Sequence, residues 1–155
     1  MPVQSKIIKV LVAGTRGSGK SSIICRFIYD NMDGCSQNEG TFYRSGLINI
    51  EDSKFTFILK EIRNLPTSEN TAGFIVVIDP TRETDLKEIP YILENIGNKK
   101  VIIALNKIDM KYLANFWIED VKELVNGNIK IIPVSAKTGE NINELFFETA
   151  RMVSK

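Results

Sequence analysis

Eight consecutive residues limit this chain more than any others: Gly14-Thr15-Arg16-Gly17-Ser18-Gly19-Lys20-Ser21. They fit GxxxxGK(S/T), a loop whose backbone N–H groups and lysine surround phosphates while the final hydroxyl meets Mg²⁺. The flanking residues supply the context such a loop needs. Before it, Ile7, Ile8, Val10, Leu11, Val12 and Ala13 form a near-continuous apolar run, as expected of a parallel strand buried on both faces. After it, Ile23, Ile24, Phe27 and Ile28 fall at helical spacing, so a helix opens at the loop with its positive dipole end and free N–H groups toward an anion.

The rest of the composition narrows the class. With 155 residues the chain is expected to form one domain, 1–155, with a sizeable core. Twenty basic and nineteen acidic side chains leave a net charge of +1, which argues against nucleic acid or an anionic membrane as partner. The absence of histidine excludes histidine-based catalysis. Cys25 and Cys35 have neither the density of a disulfide framework nor metal-ligand spacing, which predicts reduced thiols in an intracellular protein, with Cys25 a small core residue. There is no apolar signal segment and no run near the ~18 residues that cross a bilayer. Pro2 stands where N-myristoylation needs a glycine, and the last residues carry no prenylation cysteine. No intrinsic membrane anchor and a cytoplasmic location are therefore expected.

Along the chain, residues 31–45 are polar and aperiodic and read as a long loop beside the phosphate site. Residues 46–50 and 54–59 alternate around a Glu51-Asp52-Ser53 turn and predict an antiparallel hairpin at one side of a parallel sheet. Residues 74–78 (FIVVI) and 101–105 (VIIAL) read as buried strands, and 129–134 as the last one. Residues 85–96 predict a helix that Pro90 kinks or starts late. Asn115 is positioned to cap a helix running to Gly127, with Trp117, Val121, Leu124 and Val125 inward, and Asn141 to cap a closing helix to Val153. Alternating strands and helices predict a doubly wound α/β fold, mostly parallel with one antiparallel strand, that binds ligands beyond the strand C-termini.

Two further motifs follow strands. Asn106-Lys107-Ile108-Asp109 comes after VIIAL, where a carboxylate can accept the N1–H and N2 amino hydrogens of guanine. Adenine lacks that donor pair, and a site built for such groups rejects analogues by ~10⁴ or more. Ser135-Ala136-Lys137 follows the last strand and offers backbone N–H to the guanine oxygen and an aliphatic stem to the ring. GxxxxGKS, NKID and SAK in this order resemble the Ras-like small GTPases, and SAKTGENINELF is especially similar to Rab and Arf-type members. The resemblance, over nearly the whole chain, implies a P-loop G domain that binds GTP and GDP with Mg²⁺ and works with protein effectors or regulators. It implies Gly17, Ser18, Gly19, Lys20, Ser21 and Ser22 at the phosphates, Asn106, Lys107 and Asp109 at guanine, and Ser135, Ala136 and Lys137 over the base.

The chain departs from that family where hydrolysis is performed. Hydrolysing members carry DxxG(Q/H) after the third strand. Set against KFTFILKEIRNL, the pattern places Glu61 at the Asp, Asn64 at the Gly and Leu65 at the Gln. Asn70-Thr71-Ala72-Gly73 imitates the family's DTAG, but a strand follows at once, so the second switch is short and its helix is expected to be missing. Arg16 replaces a small glycine. It is either an exposed loop residue or a guanidinium that reaches the γ-phosphate in the manner of an arginine finger. Thr41 is the best match to the threonine that covers Mg²⁺. Glu61 either holds the metal through water or is an ordinary strand-end acid. These residues predict a divergent GTPase that hydrolyses slowly, with Lys20 and Arg16 as the catalytic candidates, or a pseudo-GTPase that binds without useful turnover.

Overall fold

A computed structural model describes residues 4–31, 41–125 and 127–154. The elements run β1 (Gln4–Gly14), α1 (Lys20–Tyr29), β2 (Phe42–Arg44), β3 (Ile48–Ile50), β4 (Ser53–Glu61), β5 (Gly73–Ile78), α2 (Glu83–Ile96), β6 (Val101–Leu105), α3 (Ile118–Leu124), β7 (Lys130–Pro133) and α4 (Ile142–Val153). They build one sheet in the order β2-β4-β1-β5-β6-β7, with β3 also on β4. All pairs are parallel except β2 and β3, which run antiparallel to β4.

The expected antiparallel edge is therefore present in two pieces. Arg44 lies opposite Ile58 and Ile48 opposite Phe55, so four steps on one side match three on the other, which is the signature of a bulge. Ser45 carries the ladder across it: its N–H donates to Phe57 O at 2.9 Å and its Oγ accepts the Phe57 N–H at 2.8 Å. Reading residues 31–45 as loop throughout is thus corrected for 42–44, a segment too short to display a period, and residues 32–40 lie outside those described.

Alternation along β1 divides the core. Ile8, Val10 and Val12 face α1 and α4, whereas Leu11 and Ala13 face α2 and α3. β5 and β6 are buried at every position, which explains their unbroken apolar sequence. On the first face the Phe27 ring stacks on Phe146 with centroids 3.7 Å apart, and Phe57 meets both edge-on at 5.6 and 5.4 Å.

Several boundaries differ from expectation. α2 begins at Glu83 and passes through Pro90, whose exposed ring marks no late start. α3 ends at Leu124, which is 42% exposed. Its N-cap is Trp117 rather than Asn115, with Asp120 accepting the Trp117 N–H at 2.9 Å, while Asn115 is drawn away by hydrogen bonds to Pro80 O and Thr81 O, both 2.7 Å. Trp117 packs on the second core with the Lys111 ammonium 4.8 Å from its ring. Asn141 does occupy the N-cap of α4, but its side chain donates to Pro133 O at 2.8 Å instead of capping. Cys25 is buried and disulfide-bonded, which corrects its reading as a reduced thiol, because sequence spacing does not reveal which sulfurs meet; Cys35 lies outside the described residues.

The segment 62–72 contains no helix, as its shortness predicts. It is tied across the sheet by Glu69, which pairs with Lys60 and with Lys9 at 3.5 Å, and by Thr71 and Ala72, which donate to Lys9 O at 3.2 and 2.8 Å. Glu69 sits below the usual carboxylate range through the hydrogen bond from Lys60.

Phe146→Ala should lower unfolding free energy by about 3–5 kcal/mol, since it opens a cavity at the ring cluster. Phe147→Ala, at a side chain 39% exposed, should cost less than about 1 kcal/mol. Urea unfolding of the two variants measures both.

Candidate functional site

The loop between β1 and α1 has every carbonyl from residue 14 to 19 held by a donor. Lys20 Nζ donates to Gly14 O at 3.2 Å and Thr15 O at 2.9 Å. Arg82 Nη1 donates to Arg16 O at 2.7 Å, Lys107 Nζ to Gly17 O at 3.2 Å and Asn106 Nδ2 to Ser18 O at 2.9 Å. Gly19 O accepts the Ile23 N–H at 3.0 Å in the first turn of α1. In a planar trans peptide the N–H points opposite to the preceding carbonyl. Pinning the carbonyls of 16, 18 and 19 therefore turns the N–H groups of Gly17, Gly19 and Lys20 the other way.

Gly17, Gly19 and Lys20 line a cavity of ≈ 570 Å³, together with Gly14, Arg16, Ser21, Ser22, Glu61, Arg63 and Lys107. Arg16, Arg63, Lys20 and Lys107 make it strongly cationic, and α1 has no acidic residue in its first turn to neutralise the dipole. Gly19 is at φ 107°, and a Cβ there would lie 2.1 Å from Asn106 Nδ2, so only glycine allows the contact that joins the two loops.

Glu61 ends β4 with its Oε1 3.8 Å from Lys20 Nζ. Ser21 and Glu61 thus bring a hydroxyl and a carboxylate, both hard oxygen donors, to one cavity. That is the donor chemistry suited to Mg²⁺, which takes few protein ligands and completes its shell with water and phosphate oxygen. Thr41 immediately precedes β2 and is not among the described residues lining this cavity.

The NKID loop opens into a 3₁₀ turn, Ile108–Leu113, after Lys107 at φ 62°. Ser135 Oγ donates to Asp109 Oδ1 at 2.7 Å and fixes the plane of that carboxylate. Asn106 is 2% exposed; its amide donates to the phosphate loop, and its Oδ1 accepts the Ala136 N–H at 3.2 Å. The Ala136 N–H, expected toward a guanine oxygen, is thus engaged with Asn106. Arg26 of α1 holds the SAK loop through Ala136 O at 2.7 Å and Lys137 O at 2.6 Å. A smaller cavity of ≈ 150 Å³ lies between these loops, lined by Gly19, Ser22, Asn106, Lys107, Asp109, Met110, Ala136 and Lys137. Three separate sequence motifs converge on two adjoining cavities at the C-terminal edge of the parallel strands. A larger cleft of ≈ 860 Å³ lies at the opposite sheet edge, but there Lys130 and Arg151 are paired with Glu148.

A sequence model of the Ras family matches residues 59–155, well over half of the chain. The chain belongs to the Ras family. It is a divergent Ras-like small GTPase by this match, whose span runs from the end of β4 through NKID and SAK and leaves residues 14–21 outside it. Ras-related protein Rab-22A of Mus musculus is 28% identical to it over 161 residues, 94% of this chain and 83% of the relative. Ras-related protein Rab-31 of Homo sapiens is 26% identical over the same shares, and Ras-like protein rasB of Dictyostelium discoideum 27% identical over 95% and 82%. Among the described residues no helix is long and apolar enough to cross a membrane.

Three residues that motif reading did not single out stand at this Ras-family site: Arg63, Arg82 and Asp85. Their position just past the ends of β4 and β5, the ligand edge of the sheet, was the available signal. Asp79 joins them, buried at the end of β5 and bound by Lys107 Nζ at 2.8 Å and by the Thr81 N–H and hydroxyl at 2.9 and 2.6 Å. Burial pushes its carboxyl up, but these hydrogen bonds outweigh burial and hold it below the ordinary value of 3.8.

With a lowered folded pKa, Asp79 contributes stability at pH values above 3.8 and loses that contribution as pH falls through the folded pKa. Asp79→Asn should therefore cost about 1–3 kcal/mol at neutral pH and flatten the acid limb of the stability profile, measured by urea unfolding from neutral to acid pH.

Proposed function

We propose that this chain binds GDP and GTP with Mg²⁺, hydrolyses GTP slowly on its own, and serves as a switch or scaffold for protein effectors or regulators. One observation carries this reading: Asn106 bridges the phosphate loop and the SAK loop while Ser135 aims Asp109, so phosphate and base recognition are one connected unit. A purely structural loop has no use for a carboxylate oriented beside a cationic cavity.

In this reading Lys20 and the N–H groups of Gly17, Gly19 and Lys20 hold the phosphates, with Ser18 and Ser22 shaping the loop around them. Lys107 lays its stem along the base and keeps Gly17 O turned out. Asp109 accepts the two guanine donors, and Ala136 and Lys137 close over the ring. Ser21 would hold Mg²⁺ directly and Glu61 through water, with Thr41, just before β2, the further candidate. Held by these residues, the ion would supply positive charge against the phosphates. Arg16 and Arg63 bring two guanidinium groups to the phosphate cavity, where charge develops during transfer.

The second reading, a pseudo-GTPase acting as a protein-binding module, draws on Glu61, Asn64 and Leu65 and on the helix-free segment that follows them. The hydrocarbon side chain of Leu65 cannot orient an attacking water as the family glutamine does. Binding is common to both readings; turnover separates them.

Asp109→Asn exchanges an acceptor for a donor and should weaken GDP and GTP together by about 10²-fold or more while improving xanthosine diphosphate. Unchanged guanine preference would overturn the reading. In a single turnover with Mg²⁺, slow loss of GTP favours the GTPase and indefinitely retained GTP favours the binding module.

A further inference from the structure

Of the donors that pin the phosphate loop from outside it, Asn106 and Lys107 belong to NKID, whereas Arg82 belongs to no motif. Its Nη1 donates to Arg16 O at 2.7 Å and its Nη2 to Thr15 Oγ1 at 2.9 Å. The guanidinium is itself set in place by two carboxylates: Asp85 Oδ2 lies 3.2 Å from Nη2, and Asp79 Oδ2 lies 3.5 Å from Nε. Asp85 is 1% exposed, and the same Oδ2 accepts the Thr15 hydroxyl at 2.8 Å and the Asp79 N–H at 2.7 Å. A buried carboxylate tied to three donors is a rigid support for the guanidinium beside it.

We infer that Arg82, held by Asp85, is a positioning residue for the phosphate site: it fixes the Arg16–Gly17 peptide so that the Gly17 N–H faces the cavity. The inference rests on the nucleotide-binding reading above. Its logic is the geometry of one peptide plane. Gly17 sits at φ +80° with no Cβ to restrict it, so its own side chain does not hold the Arg16–Gly17 plane. A half-turn of that plane would present a carbonyl oxygen to an anion and withdraw an N–H. Arg82 opposes the turn by bonding the carbonyl on the outer side, and its Nη1 would stand only 3.0 Å from a Cβ at Gly17, close against the backbone it holds. Lys107 on Gly17 O holds the following plane, whose Ser18 N–H donates to Thr15 O at 3.2 Å within the loop. Arg82 is not itself among the residues lining the cavity, so it acts through the loop.

The test compares wild type, Arg82→Ala and Arg82→Lys by GDP titration and by ³¹P NMR of bound GDP in the presence of Mg²⁺. Removing a charge-assisted hydrogen bond should weaken GDP about 10-fold in Arg82→Ala. The β-phosphate resonance should move in Arg82→Ala, and Arg82→Lys, which retains one donor for Arg16 O, should recover part of both effects. Arg82→Gln replaces the alanine variant if that one does not fold. GDP affinity within about twofold of wild type in both variants would overturn the inference, since a lost charge-assisted hydrogen bond costs more than that. So would weakened binding with an unmoved ³¹P spectrum, because that pattern means Arg82 supports the fold and not the loop. Wild type that binds no GDP would instead overturn the nucleotide-binding reading, and it is seen before any substitution is compared.

Discussion

Peptide planarity organises this molecule's functional edge. A carbonyl and the N–H that follows it cannot face the same way, so a loop that is to offer N–H groups to an anion must place its carbonyls elsewhere. Six consecutive carbonyls, Gly14 to Gly19, are satisfied by Lys20, Arg82, Lys107, Asn106 and the first turn of α1. These donors come from three separate stretches of chain, and the sheet brings those stretches together at its C-terminal edge. Buried β5 and β6 fix where Asp79, Asn106 and Lys107 emerge. The phosphate loop is thereby shaped by the fold as a whole.

How much of this the sequence disclosed depended on whether a residue acts locally. The strand, loop and helix around residues 14–21, the buried runs FIVVI and VIIAL and the order of the three motifs were legible because each is a contiguous pattern with its own period. Pairings between distant segments were not. Arg82 and Asp85 look like ordinary residues at a helix start, and only the fold reveals that they reach Thr15 and Arg16, some 66 to 70 positions away. Asn115 and Asn141 failed as side-chain caps because a carbonyl outside the helix, Thr81 O 34 residues away or Pro133 O eight residues away, took the side chain that local rules would spend on the helix. The short strand Phe42–Arg44 lacked the length to show alternation, and only β4 makes it a strand.

The two halves of the site have diverged unequally. The loops after β6 and β7 keep Asn106, Lys107, Asp109 and Ser135 joined to one another, whereas the end of β4 carries Glu61, Arg63, Asn64 and Leu65 and runs into a segment pinned over the sheet by Glu69, Lys9 and Lys60. Pinning with ion pairs and backbone hydrogen bonds leaves that segment less room to reorder with the state of a γ-phosphate than a free switch helix would have. In the proposed function, the cationic side chains of the cavity and Leu65 in place of a water-orienting glutamine go with holding phosphates over hydrolysing them quickly.

The central claim is that this edge of the sheet is a working guanine-nucleotide site. The direct measurement is to denature the purified protein, chromatograph what it releases, and then offer GDP with Mg²⁺ to the emptied protein. The account predicts about one guanine nucleotide per chain on release or on reloading, with adenine nucleotides failing to substitute. A protein that emerges empty and takes up no GDP would contradict it.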